Sequence, residues 1–407
     1  MSESYDFQHW SNYYRDYLLK NIIPFWLNHS IDREYGGYFT CLNRHGNVFD
    51  TDKFIWLQAR QVWMFAKLYQ DKDLNVSDNE RKQWFQTAVH GAQFLEKYGR
   101  DSSTGQWYFS LTQKGEPLVE PYNIFSSVFA SMAFGQMAKI DEINSEKYKK
   151  IALDTFNDIQ KRRTNPKGDW NKASPSSPRQ LKSFALPMMM CNLSMELEHL
   201  IGKELIQTLT QECTKEIIEQ FRQSDSGLIL EYLNAKDGSR NDSFEGRLLN
   251  PGHGIEAMWF LLDIAQRENN QKLASICIDT LLTILEYSWD EKYGGILYFL
   301  DIEQRPPQQL EWDQKLWWVH LETLIALVKA IDHQPERQDQ LIRWLNKVQK
   351  YTIEHFVDSE GGELFGYLNR QGEVLLNLKG GKWKGCYHVP RAFYLCWKTL
   401  DKINKKT

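Results

Sequence analysis

The sequence predicts an all-α fold, an (α/α)6 barrel of six helical-hairpin repeats with short β-hairpins in the loops at one end. Three observations carry this. An acidic, glycine-containing turn followed by an apolar/polar alternation recurs along the 407 residues. Its reference glycines, Gly37, Gly105, Gly227, Gly295 and Gly362, are 68, 122, 68 and 67 positions apart. Every such turn leads into an apolar stretch of helical length and then into a more amphipathic one, the signature of a buried helix followed by a surface helix.

The first unit opens with DREYGGYFTCLNRHG, enters KFIWLQARQVWMFAKLY and leaves through RKQWFQTAVHGAQFLEKYG. The second opens with DSSTGQWYFSLTQKG and enters IFSSVFASMAFGQMA. The gap of 122 is close to two periods, so a degenerate third unit is expected in NPKGDWNKASPSSPRQLKSFALPMMMCNL, with Gly168 as its turn glycine. SDSGLILEYLNAKDG precedes GIEAMWFLLDIA, DEKYGGILYFLDIEQ precedes KLWWVHLETLIALVKA, and DSEGGELFGYLNRQG precedes VPRAFYLCWKTL. A solenoid of such units would stay open at its ends. Six helical hairpins are the number that closes a ring, so residues 1–407 are expected to form one domain. In that ring the long loops all emerge at one end, and a funnel there should be lined by the first turns of the inner helices.

Composition narrows the function. With 49 Lys and Arg against 53 Asp and Glu, the net charge of −4 offers no basic footprint for nucleic acid or an anionic membrane. Fifteen Trp, 19 Tyr and 21 Phe suit a carbohydrate cleft, although a large core also absorbs aromatics. The six cysteines form no CxxC or cluster, MSESYDFQHW has no basic-then-apolar leader pattern, and no run approaches the ~18 apolar residues of a membrane span. A reduced, cytoplasmic protein is expected. There is no HExxH, Cys/His cluster, calcium loop, GxGxxG or Walker loop, so neither a metal nor a nucleotide cofactor of those kinds is expected.

His253 follows Gly227 by 26 positions and His388 follows Gly362 by the same 26. Either alone reads as a capping or core histidine. Equal offsets in equivalent units instead place both imidazoles at the same end of the ring, facing a shared centre. Both precede or open an inner helix, whose positive end disfavours imidazolium, so both are expected neutral and basic. In the fifth unit the corresponding position is flanked by His320 and Glu322, of which only one can face the centre; Glu322 is the expected one, with a buried ion pair as its bland alternative. Glu256, three residues beyond His253, either orients that ring, contacts substrate or sits in an internal ion pair. Arg60, in an otherwise apolar inner helix, requires an anionic partner. Tyr122 and Asn123 in EPYNIF are candidate hydroxyl contacts or loop-stabilising residues. Paired carboxylates for glycoside hydrolysis also remain open on such a barrel.

These strings, DTDKFIWLQARQVW, EPYNIF, NPKGDWNK, RLLNPGHGIEAMWF, PPQQLEWDQKLWWVHLE and LLNLKGGKWKGCYHVPRA, resemble the N-acylglucosamine 2-epimerase family essentially end to end. The resemblance implies interconversion of N-acetylglucosamine and N-acetylmannosamine, an (α/α)6 barrel, a homodimer, and ATP as an allosteric activator that is not consumed. It implies that His253 and His388 are the acid/base pair, with Arg60 and Glu322 essential. It also places Arg163 and Lys172, within RRTNPKGDWNK, as nucleotide contacts; a lysine is usual where this chain has Arg163, which keeps charge but alters geometry. Aldose–ketose isomerases and cellobiose 2-epimerases resemble the same barrel but bring a further histidine from the third unit. LKSFALPMMMCNL has none, which favours the N-acyl sugar epimerase over those groups, a glycosidase, or a non-catalytic, renin-binding-like role.

Overall fold

Glycine sets the rhythm of the chain. Gly37, Gly105, Gly227, Gly295 and Gly362 all have φ between +70° and +83°, a backbone region that side chains disfavour. The acidic residue ahead of the glycine closes the turn. Asp32 Oδ1 accepts from the backbone N–H of Glu34 and Tyr35 at 3.0 and 3.1 Å, and Asp101 Oδ1 does the same for Ser103 and Thr104 at 2.9 and 2.7 Å. The structure, a computed structural model, describes residues 5–121, 123–163 and 180–406. Gly168, Tyr122 and Lys172 lie outside the described residues.

The inner helices are α3 (Ile55–Gln70), α5 (Phe125–Ile140), α7 (Ala185–Glu196), α10 (Pro251–Glu268), α12 (Trp317–His333) and α14 (His388–Asn404). Their outer partners are α4 (Asp78–Tyr98), α6 (Ser145–Lys161), α9 (Lys203–Glu216), α11 (Gln271–Ser288), α13 (Gln338–Phe356) and α1 (Phe7–Tyr17). A π turn at Leu18–Ile22 carries α1 into α2 (Ile23–His29), and α8 (Glu198–Ile201) links α7 to α9. Each inner helix packs on the next, from α3 through α5, α7, α10 and α12 to α14, and each rests on an outer helix, with α1 against α14. The ring closes where α14 returns to the end of α3: Tyr394 donates to Asp71 at 2.8 Å and Lys398 pairs with it at 3.0 Å. The N-terminal helix therefore supplies the outer layer for the last inner helix, and the chain forms the predicted (α/α)6 barrel.

Short antiparallel strands staple neighbouring units together at the hairpin end. Lys53–Phe54 pairs with Ser110–Leu111, Leu181–Ser183 with Tyr232–Asn234, Leu248–Leu249 with Leu300–Asp301, and Lys315–Leu316 with Tyr367–Leu368. In each case the strand lies just before an inner helix and its partner lies in the following hairpin. The seam between last and first units is held differently, by Lys379 and Gly380 N–H groups donating to Leu42 O at 2.9 and 3.1 Å. Buried lysines lock the turns: Lys53 pairs with Asp32 at 2.7 Å and Lys315 with Asp290 at 3.0 Å. All six cysteines are buried and unpaired. No helix among the described residues is long and apolar enough to cross a membrane.

Candidate active site

A cavity of about 660 Å³ opens at the hairpin end, and all six inner helices reach it through their first turns. Arg60, Phe129, Met189, His253, Trp318 and His388 represent them in order. This is the expected funnel, and its volume suits a monosaccharide or a somewhat larger sugar.

His253 sits in the first turn of α10. Asn250 caps that helix, its Oδ1 accepting from His253 N at 3.2 Å, and Pro251 occupies the first helical position. The imidazole Nδ1 lies 3.0 and 3.1 Å from the two oxygens of Glu231. Because a carboxylate only accepts, Nδ1 carries the proton and Nε2 is left for the cavity. His388, the first residue of α14, is held in the same manner, with Nδ1 2.7 Å from Glu322 Oε1. The Trp318 indole lies between them, 5.3 Å from the His253 ring and 5.8 Å from the His388 ring.

The two histidines differ electrostatically. Burial lowers His253, but Glu231, with help from Glu256, overrides it and the net direction is upward. Burial lowers His388 as well, and the positive charges of Arg60 and Arg391 drive it well below the ordinary imidazole value. The helix-end argument, which expected both to be neutral, therefore holds in direction for His388 and not for His253, because a carboxylate in direct contact outweighs a partial helix charge.

Glu322 is buried and fully engaged. Its Oε1 serves His388 and also accepts from Arg391 Nη2 at 2.6 Å, while Oε2 accepts from Trp259 Nε1 at 2.9 Å. Arg391 Nη2 also donates to Glu256 at 2.6 Å. Glu256 thus takes the ion-pair alternative while still lining the cavity, and it is Glu231 that orients His253. Burial pulls Arg391 down, yet Glu322, Tyr387 and Glu256 hold it above the usual arginine value. Glu256, Glu322 and His388 bring ligand-type atoms within 4.8 Å of one another, and the Arg391 guanidinium supplies the positive charge those carboxylates require. His320 points away: its Nδ1 donates to Leu316 O at 2.8 Å and its Nε2 accepts from Ile296 N at 3.0 Å.

Arg60 has the unusual environment. Its guanidinium lies 3.9 Å from the centroid of Phe129, 4.3 Å from Trp56 and 4.6 Å from Tyr387. Among the described residues it makes no ion pair, and its buried Nε has no hydrogen-bond partner. Burial, opposed by Tyr387 and Glu256, brings it down to about 10, so it remains a cation at neutral pH. A caged, unsatisfied cation in the wall of a cavity is a receptor for developing negative charge. Asn123 lines the cavity, and its Oδ1 accepts from Phe125 N at 2.9 Å, so it shapes the loop as well. Arg163 is elsewhere, beyond the end of α6, paired with Glu212 at 3.1 Å.

With this geometry in place, comparison with known proteins decides the lineage. The family described as N-acylglucosamine 2-epimerase (GlcNAc 2-epimerase) matches residues 37–392. The N-acylglucosamine 2-epimerase of Bos taurus is 36% identical over 392 residues, covering 95% of this chain and 90% of its own length. That of Rattus norvegicus is 37% identical over 392 residues, with the same coverage. This chain belongs to the N-acylglucosamine 2-epimerase family. Solved structures within the fold include cellobiose 2-epimerase from Bacillus thermoamylovorans, with TM-score 0.80 at 19% identity over 97% of this chain and 99% of that one. A D-mannose isomerase gives TM-score 0.80 at 19% identity over 98% and 100%. For this family member, as for those barrels, the inner ring and the hairpin end define the architecture.

Two charged residues of the epimerase-family site escaped the sequence reading. Arg391 follows Gly362 by 29 positions, the offset at which Glu256 follows Gly227, so the repeat arithmetic that found the histidines also marks this ion pair. Glu231 is the only carboxylate four positions after any of the five turn glycines. In the third unit, Met188 and Met189 form the cavity wall where no histidine is present.

Proposed function

We propose that this protein is an N-acylglucosamine 2-epimerase, an isomerase interconverting N-acetyl-D-glucosamine and N-acetyl-D-mannosamine through proton transfer at C2 of the open-chain sugar. One observation carries the chemistry. Two imidazoles share one cavity, each held at Nδ1 by a buried carboxylate so that its Nε2 is left for the substrate, and they are tuned in opposite directions.

The aldehyde of the open-chain sugar acidifies the proton on C2. In one direction neutral His388 removes it through Nε2, the C2–H bonding electrons pass into the C1–C2 bond, and the carbonyl π electrons move onto oxygen. The resulting enolate is stabilised by Arg60. Protonated His253 then delivers a proton to the opposite face of C2, the carbonyl re-forms, and configuration is inverted with no net redox change. The reverse direction exchanges the two roles. We assign His388 to the glucosamine-configured face, on the family resemblance. Each positioned acid or base contributes roughly 10²–10⁴-fold, so Arg60 and the exclusion of water supply much of the remainder.

Asn123, Glu256 and Tyr122 are assigned to the sugar hydroxyls, and the whole chain, residues 1–407, to one catalytic domain. ATP acts as an allosteric activator that is not consumed, through Arg163 and Lys172. Arg163 already pairs with Glu212, so a nucleotide phosphate has to compete with that carboxylate. Following the resemblance, the protein functions as a homodimer in the cytoplasm, with no metal in the chemistry. N-acetylmannosamine is incubated in D2O and C2 followed by NMR. Epimer carrying deuterium at C2 supports the reading; epimer without it overturns proton transfer, and absence of epimer overturns the function. The same assay with and without ATP tests the activation.

A further inference from the structure

The two carboxylate–histidine pairs are built alike and neutralised differently. Glu322 shares its His388-binding oxygen with Arg391, which bridges at 2.6 Å to Glu256 as well. Glu231 has no such cation: among the described residues His253 is its sole ion-pair partner. Its backbone is fixed on both sides, Glu231 N donating to Leu248 O at 2.9 Å and Phe184 N donating to Glu231 O at 2.9 Å. That ties the carboxylate to the strand leading into α10 and to the segment leading into α7.

We infer that Glu231 is a positioning residue that fixes the His253 ring and keeps its proton in place, so that the resting enzyme carries a proton on His253 and none on His388. This rests on the epimerase reading. A proton shared between His253 and a carboxylate lacking any other cation is stabilised by a full countercharge. The countercharge of Glu322 is already taken up by Arg391, and Arg60 adds a further positive charge nearby. The groups facing His253 are Glu231 before the Tyr232–Asn234 strand, Glu256 on its own helix, the Trp318 ring on α12, and His388 across the cavity. Arg391 is engaged by Glu256 and Glu322 and does not cancel Glu231. After one turnover the proton sits on His388, and exchange with solvent returns it to His253. Glu231 thereby sets which protonation state, and so which epimer, meets the free enzyme ready.

The test combines kinetics with a titration that needs no substrate. Carbon-13 at the histidine Cε1 positions is followed by NMR against pH in the wild type, Glu231→Gln and Glu231→Asp, with His253→Asn identifying the signal. Glu231→Gln should move the His253 titration down by about one pH unit or more and leave His388 in place. In the same variant kcat should fall roughly 10- to 100-fold with KM changed less than about 2-fold, and the alkaline limb of the pH profile should move to lower pH. Glu231→Asp, which retains the charge, should recover most of the titration shift. A His253 titration and pH profile unmoved by Glu231→Gln, in protein with a wild-type circular dichroism spectrum, would overturn the inference. A misfolded Glu231→Gln leaves the decision to Glu231→Asp, whose longer reach should lower kcat at least several-fold; wild-type kcat there overturns it too. Loss of the epimerase reading would show separately, as wild-type protein that forms no epimer while its histidines titrate as described.

Discussion

Glu322 Oε1 stands 2.7 Å from His388 Nδ1 while also accepting from Arg391 at 2.6 Å, so one buried oxygen fixes an imidazole and satisfies a guanidinium. Removing that carboxylate should disable both. Glu322→Ala leaves Arg391 and Trp259 short of an acceptor, and breaking a buried ion pair of this kind costs about 3–5 kcal/mol. Glu322→Gln keeps the shape but turns an amide NH₂ toward a donor. The expected outcome is a loss of at least ~10²-fold in kcat for both variants, with a clear fall in chemical-denaturation midpoint for Glu322→Ala.

Arg60 offers the contrasting case. It has no ion pair to lose among the described residues, so Arg60→Met should fold with near wild-type stability. Its kcat/KM should nevertheless drop by roughly 10²–10³-fold, the range seen when an enolate- or oxyanion-stabilising group is removed. Parallel thermal melts and initial rates check both halves.

His320 makes the acid stability of the fold testable. Burial, opposed by the backbone acceptor at Leu316, lowers it to about 3, below its unfolded value near 6.5. A depressed folded value means the unfolded chain binds the proton more readily. The stability contribution is therefore complete above about pH 6.5 and is lost as pH falls toward 3. Gln58 occupies the same niche in the first unit, bonding Tyr38 N and O at 2.8 Å each, as His320 bonds Ile296 N. His320→Gln should therefore fold, and the slope of unfolding free energy between pH 6 and 4 should decrease by up to about 1.4 kcal/mol per pH unit.

The turn glycines are not equivalent in cost. At Gly295, with φ +75°, an added Cβ would lie 2.6 Å from the Tyr351 ring, whereas at Gly105, with φ +74°, nothing lies within 4 Å. Gly105→Ala should therefore cost only about 1–2 kcal/mol of backbone strain. Gly295→Ala should cost distinctly more, by urea denaturation of the two variants side by side.

Much of this was legible in the chain. The glycine spacing and the alternation of apolar and amphipathic stretches gave the ring, because local backbone demands and helix faces are written locally. The shared 26-residue offset brought His253 and His388 to one cavity, and Glu322 rather than His320 faces it. What escaped were the partners across units. Glu231 meets His253 from a hairpin 22 residues earlier, and Arg391 meets Glu256 from 135 residues away. Such meetings depend on which face a short strand presents and on how the ring closes, and neither is encoded by a local period. The protonation of His253 was misjudged for the same reason, since its carboxylate was not anticipated.

The seam between last and first units has a consequence for how the protein is made. The segment leading to His388 is anchored by the Leu42 carbonyl, more than 300 residues upstream, and α14 packs on the N-terminal α1. His253 and its Glu231 can be assembled from adjacent units, but His388 takes its place only when the end of the chain returns to the beginning. During synthesis the first unit emerges early and must wait, its apolar face uncovered, for a partner translated last. Catalytic competence therefore arrives in one step at the end of folding, and a nascent chain released short of α14 exposes a seam instead of a partly active enzyme.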